Sequence, residues 1–232
     1  MRDIQLIIFD FDGVVVDSEV ISAQMLVAEL ALHGVRIDLA YVARHFLGRS
    51  YPVVLAQIRE EFGIVLPDGF EADYRARLVA AFREGLQPMP GIRDLLTRLA
   101  LPYCLATSSS PARVEQSMQI AGLSELFAGR ITTVAEVARG KPAPDLPLLA
   151  AKKAGIAPQH CLVIEDSLSG IRAALAAGMQ VWQFTGGSHF RGIDLPEDPG
   201  TRPHRRFDDL AKVAEFAPTL LTCADADAGD RP

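Results

Sequence analysis

The chain has 232 residues, 49% hydrophobic and 22% charged, with 18 Gly and 15 Pro, a length that suits one large domain or one domain carrying a sizeable insertion. The apolar share is ample for a core and excludes disordered, collagen-like and low-complexity classes. With 23 Lys and Arg against 29 Asp and Glu, the formal charge is −6, a poor background for nucleic acid phosphates or anionic lipid, so no nucleic acid and no membrane is expected as a partner.

Taken in chain order, the first apolar run is Leu6-Ile7-Ile8-Phe9, continuous rather than alternating, as in a strand buried on both faces of a parallel sheet. Asp10 and Asp12 follow it directly, which is unlike a signal peptide. From Asp17 to Leu86 the periodicity is helical. Ser18 can cap a helix running to His33, with Gly34 as its stop, and further helices cover Leu39–Phe46, Pro52–Phe62 and Phe70–Glu84. This reads as an all-helical insertion after the first strand; the plainer alternative is that these helices only pad the sheet. Pro88 and Pro90-Gly91 mark the return to the α/β part.

Strand-like runs then recur at Tyr103-Cys104-Leu105-Ala106, Ile131-Thr132-Thr133-Val134, Leu162-Val163-Ile164 and Val181-Trp182-Gln183-Phe184. Helical patterns separate them: Pro111 to Ala121 before Gly122, Asp145 to Ala154 before Gly155, and Ser169 to Ala177 before Gly178. Gly just past a helix end is a left-handed stop. Such alternation gives an α/β fold, a parallel sheet with right-handed crossovers. Pro196 to Arg206 reads as a surface loop and the end from Thr222 as frayed. The division expected is an α/β core of 1–16 and 87–218, a helical insertion of 17–86 and a flexible tail of 219–232.

In an open parallel sheet, ligands sit outside the carboxyl ends of the strands. After the first strand come Asp10-Phe11-Asp12-Gly13, and after the second Thr107-Ser108-Ser109-Ser110. Gly140-Lys141-Pro142 lies a few residues past Val134, Glu165-Asp166-Ser167 follows the fourth strand, and Thr185-Gly186-Gly187-Ser188 the fifth. Four acids, one Lys and a row of hydroxyls therefore converge on one edge. Asp10 and Asp12, two apart in extended chain, can face one cavity. With Glu165 and Asp166 nearby, the like charges repel unless a cation sits among them, and oxygen ligands with a phosphate suit Mg²⁺. Singly, an Asx-type turn accounts for Asp10-x-Asp12-Gly13 and an acidic helix N-terminus for Glu165-Asp166.

Four segments in order, DFDGVVVDSE at 10–19, a hydrophobic strand then Thr107, GKPAPD at 140–145 and VIEDSLSGIRAALAAGM at 163–179, resemble the haloacid dehalogenase-like (HAD) phosphohydrolases. The branch is the one with a helical cap, related to β-phosphoglucomutase and sugar-phosphate phosphatases. The resemblance spans roughly residues 4 to 215. It implies the HAD fold, a Rossmann-like parallel sheet with an inserted all-helical cap. It implies Asp10 as nucleophile, forming an aspartyl-phosphate, and Asp12 as general acid then base, its main-chain carbonyl also meeting Mg²⁺. Thr107 and the Ser108 amide would bind the phosphoryl group, with Ser109 in the same loop. Lys141 would hold Asp10, and Asp166, with Glu165 as ligand or behind it, would anchor the metal. Gly48-Arg49-Ser50 resembles the cap loop that reaches the site, where Arg49 could meet a hydroxyl, a carboxylate or a second phosphate, or stay solvated.

Dehalogenases of this superfamily lack an acid at the place of Asp12, so its presence favours phosphoryl transfer. Ser22 stands where β-phosphoglucomutases carry His, which favours hydrolysis over isomerisation. The resemblance thus implies a Mg²⁺-dependent phosphatase of a small phosphorylated metabolite. The alternatives are a phosphomutase and, distantly, a phospho-accepting receiver module, which is about half this length. The odd cysteines, the N-terminus unlike a signal peptide and the lack of a long charge-free apolar stretch lead to the expectation of a reducing cytoplasm. A monomer or weak homodimer is expected. Cys104 and Cys161 read as buried thiols, and Cys223 completes an odd, unpaired set. His33, His45, His160, His189 and His204 show no ligand spacing and read as surface or helix-end residues; His189 alone falls near the site edge. Gly186-Gly187 reads as a flexible turn or an anion cradle, and Trp182 as core.

Overall fold

The computed structural model describes residues 3–191 and 200–222. Its centre is a six-stranded, wholly parallel sheet of β1 (Leu6–Phe9), β2 (Tyr103–Thr107), β3 (Ile131–Thr133), β4 (Cys161–Glu165), β5 (Gln180–Phe184) and β6 (Arg205–Phe207). The order across it is β3-β2-β1-β4-β5-β6. The chain winds outward from β1 to β3, then returns to β4 on the other side of β1. The crevice between β1 and β4 is therefore the switch point of the sheet, where α/β proteins hold ligands. Phe9 pairs with Ile164 and with Leu105, so the loops leaving all three central strands open at one level.

The unbroken apolar runs have a direct cause. Ile7 and Phe9 join a core with Val114, Met118, Leu162 and Trp182, whereas Leu6 and Ile8 join one with Leu146, Ala150, Val163 and Ile171. Successive residues of a strand face opposite ways, so a sheet covered on both sides needs both sets apolar. The covering helices are α5 (Ile92–Arg98), α6 (Pro111–Ala121), α7 (Asp145–Ala154), α8 (Leu168–Ala176) and α9 (Lys212–Phe216). Gly122 and Gly155 end α6 and α7 in the left-handed conformation, at φ 65° and 72°.

Between β1 and α5 lie α1 (Glu19–Leu32), α2 (Leu39–His45), α3 (Tyr51–Phe62) and α4 (Phe70–Gly85), the inserted helical cap. Leu30, Ile58, Leu78 and Phe82 are buried, and the insertion meets the rest of the chain where α4 packs on α6 and α1 on the turn at 188–190. Its two ends are tied together: Val16 pairs with Pro88, the Asp17 N–H donates to the Gln87 carbonyl, and the Met89 N–H donates to the Val15 carbonyl.

Some expectations change. Ser18 holds the first position before α1 but makes no capping bond; its hydroxyl donates to Asp12 instead. Within the stretch read as a surface loop, residues 196–199 lie outside the described residues, but Arg205 and Arg206 begin β6, paired with Trp182 and Gln183. Three residues after Pro203 carry no period, and Arg205 is held by stacking on the rings of Trp182 and Phe216. Of the tail, Leu220 is buried, Leu221 pairs with Leu99 and the Thr222 N–H donates to the Arg98 carbonyl; 223–232, with Cys223, lie outside the described residues. Cys104 and Cys161 are buried free thiols, and Trp182 is core.

Candidate active site

Asp10 leaves β1 with its N–H donating to the Ile164 carbonyl of β4, which fixes it at the switch point. Lys141 arrives from the loop after β3, buried at 8% exposure. Its ammonium donates to Asp10 Oδ1 at 2.5 Å and to Glu165 Oε1 at 2.7 Å. Glu165 is fully engaged, because its second oxygen accepts the Ser167 N–H at 2.7 Å and the Ser167 hydroxyl at 2.9 Å. Ser167 in turn caps α8 by accepting the Gly170 N–H. One polar chain thus runs from the end of β1 to the start of α8.

Asp10, Glu165 and Asp166 each offer an oxygen within 4.8 Å of the others, all three buried. Three carboxylates against one ammonium leave an unbalanced negative charge in a dry setting. Burial raises the Asp10 carboxyl well above its ordinary range, with Lys141 opposing and Glu165 and Asp166 adding to the rise. Asp166 is raised by burial and by Glu165, against Lys141. Burial would lower Lys141, but Asp10 and Glu165 carry it above its usual value. Asp166 Oδ2 is buried without a hydrogen-bond partner. Three oxygen donors with excess negative charge fit a small divalent cation. Gly13 is required here, since at φ 77° any Cβ would lie 2.0 Å from Asp166 Oδ2.

Asp12 faces the same cavity but a different set of partners. Its oxygens accept the Ser18 hydroxyl at 2.5 Å, the Ser109 hydroxyl at 2.6 Å and the Arg113 guanidinium at 2.7 Å. Thr107, at the end of β2, accepts the Ser109 N–H at 3.0 Å, which leaves its own hydroxyl proton free to donate. The Ser108 hydroxyl donates to the Gly48 carbonyl at 3.1 Å, so the loop between α2 and α3 touches the loop after β2. Arg49 is exposed and donates to Gln57 at 2.8 Å. Asp10, Asp12, Arg49, Thr107, Ser108 and Ser109 border a cavity of about 500 Å³ between sheet edge and cap.

The sequence reading missed Arg113 and the placement of Glu19. Arg113 lines the cavity from the first turn of α6, where the helix dipole disfavours a cation; that mismatch was the available signal. Besides Asp12 it reaches the Ser22 hydroxyl at 3.1 Å and lies 5.5 Å over Phe82. Glu19, first residue of α1, is raised to about 8 by burial and then by Asp12 and Asp166. His189 is not a surface residue: it is 7% exposed, beside Asp166.

Comparison with known proteins places this geometry in context. The sequence model of a family described as haloacid dehalogenase-like hydrolase matches residues 4–178. The chain is 28% identical over 199 residues to 6-phosphogluconate phosphatase of Escherichia coli K12, covering 85% of this chain and 90% of that protein. It is 33% identical over 190 residues to hexitol phosphatase A of the same organism, covering 75% and 80%. A HAD family hydrolase of Deinococcus radiodurans R1, solved with bound phosphate and sodium, has 32% identity and a TM-score of 0.74, covering 97% of this chain and all of that one.

Proposed function

The chain belongs to the haloacid dehalogenase-like hydrolases, and from that membership we propose that it is a Mg²⁺-dependent phosphatase of a small phosphorylated metabolite, a sugar phosphate or sugar-acid phosphate. It is a phosphoric monoester hydrolase. The observation that carries the reading is Asp10 itself, a buried carboxylate at the switch point, gripped by Lys141 at 2.5 Å and open to the cavity.

Asp10 attacks phosphorus, forming an acyl phosphate as the ester P–O bond breaks. The departing alkoxide takes a proton from Asp12, which borders the same cavity as Asp10. Asp12 then takes a proton from water, which attacks phosphorus and releases inorganic phosphate and Asp10. One group serves both half-reactions because the proton given in the first is recovered in the second. The Thr107 hydroxyl and the Ser108 N–H donate to the phosphoryl oxygens, and Lys141 offsets their charge. Glu165 fixes Lys141 rather than acting on substrate, since both its oxygens are occupied. Asp10 and Asp166, with the Asp12 carbonyl, would hold the cation. Mg²⁺ supplies neutralisation of the phosphoryl charge.

Arg49, Arg75 and Arg113 border the cavity, so a leaving group with an anionic substituent fits its wall. A sugar acid is such a group, and 6-phosphogluconate phosphatase is among the relatives. Asp10→Asn should abolish phosphate release from an aryl phosphate; retained turnover would sink the nucleophile assignment. A phosphate-release screen over sugar phosphates, sugar-acid phosphates, phosphoglycolate and nucleotides, with and without Mg²⁺, identifies the substrate. Isomerisation of β-glucose 1-phosphate in the presence of a bisphosphate primer, without net phosphate release, would replace hydrolysis with a mutase.

A further inference from the structure

Three buried polar atoms beside the carboxylate cluster have no hydrogen-bond partner: Asp166 Oδ2 and both ring nitrogens of His189. His189 Nε2 lies 3.1 Å from Asp166 Oδ2, and the residues are 7% and 1% exposed. The two atoms are close but not aligned as a hydrogen bond, and such a pair in a dry interior invites a proton or a cation between them. His189 stands outside the group formed by Asp10, Glu165 and Asp166 and meets it through Asp166 alone, which favours the proton.

The ring is held in a built slot. A Cβ at Gly187 would lie 2.5 Å from its Cε1 and 2.7 Å from its Nδ1, and one at Gly13 would lie 2.9 Å from Cε1. Both glycines are thus needed for the imidazole to reach Asp166, which gives the Gly186-Gly187-Ser188-His189 segment a role other than a flexible turn. The preceding residue is anchored too: Ser188 donates its N–H and its hydroxyl to Asp17 at 3.1 and 2.8 Å. Phe190 stacks at a tilt, 4.2 Å away.

We propose that His189 is a positioning residue for Asp166: a small turn of its ring within the slot lets Nε2–H donate to Oδ2, so that the other carboxylate oxygen is held for the divalent cation. A hydrogen bond to a ligand carboxylate fixes its rotamer before the ion arrives, and loss of such a partner weakens metal binding by about 10- to 100-fold. The inference rests on the reading of Asp166 as a cation ligand.

The test uses Mn²⁺ as probe, titrated into the full-length, chelator-stripped protein and followed by electron paramagnetic resonance, with no substrate and no turnover. His189→Leu should weaken Mn²⁺ binding by about 10- to 100-fold, while His189→Gln, which keeps an N–H donor, should restore most of it. Unchanged affinity in His189→Leu overturns the proposal, as does a His189→Gln variant as weak as the Leu one. Strong ¹⁴N coupling to wild-type-bound Mn²⁺ overturns it too, since His189 would then be a ligand. Asp166→Asn separates the levels: wild-type affinity in that variant removes the metal-site reading beneath the proposal. Should His189→Leu fail to fold by circular dichroism, Gly187→Ala displaces the ring and carries the same expected loss.

Discussion

Lys141 and Glu19 show how burial sets the charge of this site residue by residue. Lys141 answers two carboxylates at once, and removing one partner of such a buried pair leaves the other uncompensated. Glu19 has the opposite problem, an acid at the cavity wall near Asp12 and Asp166. Its carboxyl rises from 4.5 to about 8, first through burial. Below pH 4.5 it is neutral whether the chain is folded or not. Above that the unfolded chain ionises while the folded chain stays protonated up to about 8, so stability falls as pH rises through this window, by no more than about 1.4 kcal/mol per unit. Solvent in the cavity reduces the slope. Glu19→Gln should flatten that decline in urea unfolding run in chelator-treated buffer at pH 5, 6, 7 and 8; an unchanged pH profile would contradict the raised carboxyl.

At the level of elements, α6 accepts an arginine in its first turn although the dipole there repels cations, because Asp12 and Ser22 lie opposite it. Arg113→Ala should cost the fold about 1.5–3 kcal/mol, because it leaves the buried Asp12 without its charged donor. Catalysis should suffer too. Asp12 would keep Ser18 and Ser109 but lose a charged donor worth about 1.5–3 kcal/mol, so kcat/KM for an aryl phosphate should fall roughly 10- to 150-fold. Equal activity with equal stability would show that Arg113 is a bystander. The motifs around Asp10, Lys141 and Asp166 were legible because each follows a strand at fixed distance. Arg113 was not, because a solvated helix residue and one folded back over Asp12 look alike in one dimension.

Across the whole molecule, the cap and the sheet meet through small contacts at the cavity mouth. Gly48, at φ 72°, sits so close to the N-terminus of α8 that a Cβ would lie 2.1 Å from Ser167 Oγ. Its carbonyl also takes the Ser108 hydroxyl. Gly48→Ala should hold the cap off the core, admit water, and lower kcat/KM for a metabolite-sized ester about tenfold or more. The fold should lose about 1–2 kcal/mol from an Ala held at positive φ and little more, because the buried apolar residues of α1, α3 and α4 remain packed. A variant with unaltered kinetics would mean that this closure has no part in turnover.

The five central strands, the inserted helices and the identity of the acids facing the crevice followed from the residues alone, because burial on both faces of a sheet forces unbroken apolar runs and loop chemistry follows their ends. Partner choice did not. Ser18 serving Asp12 rather than its own helix, Glu165 bound up with Lys141 and Ser167, and His189 drawn inward beside Asp166 depend on distances between segments more than twenty residues apart, or on turns whose direction spacing leaves open. β6 was likewise decided in three dimensions: three residues with no period become a strand only because β5 offers a free edge and Trp182 and Phe216 offer rings for Arg205.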